Sequence, residues 1–185
     1  MALFKNKHHE STPLIPASSA EAEQVLATLE RTDIDPTQVL LVGSAALALY
    51  GATLERDFTT GEPRPGDVDL LASTTYASQL YAAERGTIKD LVNNNHLTVL
   101  RLSDGEPLPI DIITAPRDSL NTNAYDQRLY KRIQEGRQIE GTDYRVLSLA
   151  HLIKAKKADM PAYDPKAASD LASARATLTR IQRRQ

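Results

Sequence analysis

Asp67 and Asp69 stand two residues apart in Gly66-Asp67-Val68-Asp69-Leu70-Leu71. Val68, Leu70 and Leu71 mark this stretch as a buried strand, and side chains alternate across a strand, so the two carboxylates point the same way. Carboxylates on such a strand are costly unless they are paired or metal-bound. Upstream, Val39-Leu40-Leu41-Val42 has no polar face and reads as another buried strand. Gly43-Ser44 ends it and opens an Ala/Leu-rich helix that closes at Leu49-Tyr50-Gly51. A glycine and a hydroxyl at a helix N-terminus put free N–H groups and the positive end of the dipole where an anion binds. Two carboxylates beside a phosphate-binding helix start need a cation between them, and oxygen ligands together with phosphates suit Mg²⁺. The plainer accounts are a strand-end turn for the aspartates and a tight turn with an N-cap serine for Gly43-Ser44. The apolar neighbours of Asp67 and Asp69 argue against the first.

Two further residues join the candidates. Asp111 lies in Pro109-Ile110-Asp111-Ile112-Ile113, where it fits the alternation of a strand. Asp104 is its rival, but it sits in a Ser-Asp-Gly turn, where aspartate serves the turn itself. Lys156 stands on a helix whose apolar face is defined by Leu149, Leu152 and Ile153 at roughly 100° per residue. It falls near the centre of that face, whereas Lys154 and Lys157 fall well off it. A lysine on the buried side of a helix wants an anion. A triphosphate is one candidate and a buried carboxylate such as Asp170 is the other.

These residues are positioned by a regular alternation of elements. Residues 1–16 form a polar arm with Pro13 and Pro16, in which His8-His9 reads as solvated rather than metal-binding. Ser18-Ser19-Ala20-Glu21 has capping-box spacing and opens a helix to about Arg31, with Val25, Leu26 and Leu29 inward. A polar loop spans 53–66, and residues 74–91 read as helix with a break at Gly86. Strands over 97–102 and 108–113 flank a turn at 103–106, a hairpin that delivers Asp111. His96 lies at the edge of the first and reads as a surface or turn residue. A helix over 124–135, with Leu129 and Ile133 inward, precedes a short hairpin over 137–147. Ser148 caps a helix to about Ala158, and a final helix covers 166–183. The expected fold is α/β (α+β): a core over 17–116 with a mixed sheet flanked by helices, and a helical C-terminal part over 117–185 packed on it.

Composition narrows the classes. The chain has 185 residues, a 41% hydrophobic fraction and a formal net charge of −2, enough for a real core and not an obvious polyanion binder. The absence of cysteine excludes disulfides, thiolate zinc sites and cysteine nucleophiles. Aromatic residues make up 5% with no Trp, so no base-stacking platform stands out. No apolar run is long enough for a membrane span and no signal-peptide core is present, so a cytoplasmic protein is expected. The tail carries Arg175, Arg180, Arg183 and Arg184, a helix that could grip RNA phosphates or simply satisfy a helix dipole.

Gly43-Ser44 with Leu49-Tyr50-Gly51, followed by Asp67-Val68-Asp69 and then Pro109-Ile110-Asp111-Ile112-Ile113, resembles the nucleotidyltransferase superfamily that includes DNA polymerase β. Val146 to Lys156 resembles a fourth motif, found in AbiEii-type abortive-infection and toxin nucleotidyltransferases. After it, Lys166 and Asp170 match that family's pattern, whereas Asp164 and Ala167 depart from it. The resemblance spans Val39 to Leu171 and implies a nucleotidyltransferase core with two Mg²⁺ ions. Asp67 and Asp69 would bridge them, and Asp111 would bind the ion that activates the acceptor hydroxyl and could accept its proton. Gly43 would let the backbone approach the triphosphate of an NTP, Ser44 would hydrogen-bond to it, and Lys156 occupies the place of a family lysine. The implied activity is transfer of a nucleoside monophosphate to RNA or tRNA, a protein or a small molecule. The implied setting is a bacterial toxin with a cognate antitoxin, or phage defence. The competing expectations are a non-catalytic nucleotide- or protein-binding member of the fold and an Asp-x-Asp glycosyltransferase. Gly43-Ser44 and Asp111 disfavour the latter.

Overall fold

Ser19 accepts a hydrogen bond from the Ala22 amide at 3.2 Å and starts α1 (Ala20–Arg31), so Ser19 rather than Ser18 is the cap. The computed structural model describes residues 12–55, 61, 64–83, 86–90, 98–102, 107–114, 122–159 and 165–183. His8, His9, His96, Asp104, Asp164 and the expected turn at 103–106 lie outside them. A short 3-10 turn at Pro36–Gln38 leads into β1 (Val39–Val42), buried as its apolar sequence requires, and α2 (Gly43–Leu49) follows at once. Next come β2 (Val68–Ala72), α3 (Thr74–Ala82), β3 (Gly86–Asp90), β4 (Thr98–Leu102) and β5 (Ile110–Thr114). The chain continues through α4 (Thr122–Glu135), the short β6 (Arg137–Gln138) and β7 (Arg145–Val146), α5 (Leu149–Asp159) and α6 (Pro165–Gln182).

The strands form one mixed seven-stranded sheet in the order β3-β4-β5-β2-β1-β7-β6, accompanied by the helices, which is the α+β class the alternation predicts. The core gathers at its centre, where Leu40, Leu41, Leu70, Ile110 and Ile112 are fully buried. Each such side chain contributes about 1.5–3 kcal/mol by leaving water. β1 runs antiparallel to β2, and β2 runs parallel to β5. β7 joins the other side of β1 in parallel through Val146 opposite Leu41, so the part of the chain after 117 contributes strands as well as helices. Among the described residues no helix is long and apolar enough to cross a membrane.

One expectation fails. The helix expected over 74–91 stops at Ala82, and Gly86 begins a strand instead of interrupting a helix. Gly86 pairs opposite Leu102, where a side chain would collide with the Arg101 carbonyl, so glycine is what lets β3 lie against β4. Thr87 and Ile88, both β-branched, suit the strand.

Candidate active site

The parallel pairing of β2 and β5 sets Asp69 abreast of Asp111, and Asp67 lies two residues before Asp69 on the same face. The three carboxylates each offer an oxygen, and these oxygens lie within 4.8 Å of one another. The predicted trio is therefore assembled. The hard oxygen donors fit a divalent cation such as Mg²⁺.

Gly43 lies against this cluster. Val42 pairs opposite Asp69, and the chain then turns at Gly43 with φ +70° to enter α2. A Cβ at Gly43 would run into the Asp69 carboxylate. The glycine is required twice, for a left-handed backbone and for space beside an acid. The Gly43→Ala protein is expected to lose about 1–3 kcal/mol of stability in chemical denaturation. The oxygen cluster should open too, because Asp69 must move, so any affinity of the trio for a divalent ion falls. A variant with wild-type stability and metal affinity would show that neither demand is real. The residue before α2, Val42, offers no side-chain cap, and Ser44, the second residue of the helix, is buried.

Arg101, which no local pattern in the sequence singles out, sits opposite Asp111 on the antiparallel neighbour β4. Its Nε donates to Asp111 Oδ1 at 2.7 Å and its Nη2 donates to Oδ2 at 2.7 Å, a two-pronged fork, while Nη2 also lies 3.5 Å from Asp67 Oδ2. Hydrogen bonding to Asp111 holds the guanidinium still more firmly protonated than usual, against the opposing effect of burial. A cation thus already touches the acidic cluster.

Lys156 belongs to a second charged cluster. Helical phase placed it correctly: it is partly buried, while Lys154 and Lys157 are exposed. Its Nζ lies 2.7 Å from Asp170 Oδ2. Arg64 grips the same carboxylate, with Nη1 2.8 Å from Oδ1 and Nη2 donating to Oδ2 at 2.9 Å. Of the two anions the sequence left open, Asp170 is the one Lys156 meets. Burial pushes the Asp170 carboxyl up, but the Arg64 hydrogen bond and the charges of Lys156 and Arg64 outweigh it and hold the group below its usual range. Two cations on one acid leave a surplus positive charge, and Lys156, with its side chain 19% exposed, is the more accessible of the two.

Arg180 from the basic tail has a structural task. It donates to the Gly51 carbonyl at 2.7 Å and lies 3.5 Å from that of Tyr50, where α2 ends. Ser173 Oγ donates to the Thr53 carbonyl at 2.6 Å, so α6 holds the end of the helix that begins at the acidic cluster.

Compared with known proteins, the chain matches no family model and no curated protein.

Proposed function

We propose that this protein is a Mg²⁺-dependent nucleotidyltransferase that moves a nucleoside monophosphate from an NTP to an acceptor hydroxyl. The observation that carries this reading is the meeting of Asp67, Asp69 and Asp111 within 4.8 Å beside the glycine turn that opens α2. Mg²⁺ held by these carboxylates would neutralise the triphosphate and the charge that develops as pyrophosphate leaves. The acceptor oxygen would bond to the α-phosphorus as the bond to pyrophosphate breaks, and Asp111, once released from its Arg101 fork, would take the hydroxyl proton. Gly43 and Ser44 supply backbone N–H groups and a hydroxyl to the phosphates. Lys156, the more exposed of the two cations on Asp170, is the candidate contact for a polyanionic substrate. The resemblance described above favours a toxin or phage-defence setting, with RNA or tRNA, a protein or a small molecule as acceptor and an antitoxin as partner.

Incubating the protein with each α-labelled NTP, Mg²⁺ and total cell RNA or lysate tests the reading. Label transfer that stops in excess EDTA is expected, and no transfer to any fraction would overturn it. In the same assay Ser44→Ala should use NTP roughly ten- to a hundredfold less well, since a hydrogen bond to a charged group is worth about 1.5–3 kcal/mol. Unchanged kinetics would reduce Ser44 to a packing residue. One observation favours a second reading, a binding module without turnover: the Arg101 guanidinium engages both oxygens of Asp111. Metal-dependent NTP binding with no product would select it.

A further inference from the structure

We infer that Arg101 takes the place of one of the two metal ions, so that the acidic centre holds a single divalent cation on the Asp67/Asp69 side. This rests on the metal-dependent reading above. Three observations carry it. The fork engages both oxygens of Asp111, each at 2.7 Å, which is the bidentate geometry in which guanidinium binds carboxylate most firmly. The contact is built into the sheet, because Arg101 and Asp111 are direct cross-strand partners and β4 is itself braced by the close approach of Gly86 to the Arg101 carbonyl. The charges also balance. Without nucleotide, three carboxylates and one guanidinium leave two negative charges, which one divalent ion neutralises; a second ion would leave the four side chains and their metals net positive. A guanidinium keeps its proton at any pH the protein meets, so Arg101 can yield to a metal only by swinging away from Asp111. At this centre Asp111 therefore works through Arg101, and the acceptor side is governed by a tethered charge instead of a free ion.

Mn²⁺ alone is the probe, titrated into the full chain by calorimetry and by electron paramagnetic resonance. The wild-type protein should bind one ion. Arg101→Met keeps the aliphatic stem, removes the fork and should bind two. The second ion should be lost again in Arg101→Met/Asp111→Asn, and Mn²⁺ should raise the melting temperature of Arg101→Met more than that of wild type. Two ions in wild type, or one in folded Arg101→Met, would overturn the role of Arg101 while leaving the metal centre intact. No ion in wild type would instead remove the metal centre, and this inference with it. Should Arg101→Met not fold, the anomalous signal of Mn²⁺ in wild-type crystals decides. One peak between Asp67 and Asp69, with Arg101 still on Asp111, is expected; a peak on Asp111 sinks the idea.

Discussion

Asp67→Asn and Asp69→Asn proteins are expected to fold normally and to transfer label at about a thousandth of the wild-type rate or less. A neutral amide is close in shape to a carboxylate but is a far weaker ligand for Mg²⁺. A metal ion held there would supply several kcal/mol of transition-state charge stabilisation, and a thousandfold loss corresponds to about 4 kcal/mol of barrier. Stability should hold or rise, because three carboxylates within 4.8 Å repel one another and removing one charge relieves that repulsion. Melting temperature and rate must therefore part company. A variant that loses activity only because it unfolds would say that these acids hold the sheet together and nothing more. Full wild-type activity in excess EDTA would dismiss the metal altogether.

The second large effect falls on Asp170. The Asp170→Ala protein should lose roughly 3–5 kcal/mol, because the Arg64 side chain is 3% exposed and is left as an uncompensated buried charge. For a chain of this length that is a fall of roughly 6–20 °C in melting temperature. Lys156→Met should fall less than half as far, since Arg64 still grips the acid with both of its terminal nitrogens. The effect also has a definite pH dependence. The carboxyl is held below its usual range in the fold, so the unfolded chain takes up its proton first as pH drops. The stabilisation is fully present above about pH 4, the ordinary aspartate value, and drains away as pH falls through the lower folded value. Denaturation curves of wild type and Asp170→Ala should converge on acidification. A gap that stays constant down to pH 2 would mean that the charge of Asp170 is not what stabilises.

What could be read from the sequence was local. The apolar run of β1, the Gly43-Ser44 turn and the alternation around Asp67, Asp69 and Asp111 each depend on neighbours a few residues away, and the structure places them as read. Lys156 shows the limit. Helical phase told which face it occupies, but the acid it meets lies on another helix. Arg64 and Asp170 are separated by 106 residues, beyond any periodicity. Arg101 was missed for a subtler reason. A turn at 103–106 would have set Arg101 opposite Leu108, whereas the strands pair with Arg101 opposite Asp111. Loop length fixes hairpin register, and nothing in that loop announces its true length. Gly86 was misread because a glycine after an amphipathic helix looks the same whether it ends the helix or opens the next strand.

The grip of α6 on the rest of the fold has a bearing on synthesis. Through Asp170 it satisfies Arg64, three residues ahead of the first aspartate of the cluster, and through Arg180 and Ser173 it secures the far end of α2. Chains emerge from the ribosome N-terminus first. The three aspartates, Gly43 and Arg101 are therefore all synthesised before the acid that neutralises Arg64. Until then Arg64 has no Asp170 to pair with. A product cut short before α6 would carry the acidic trio without the acid that pairs with Arg64.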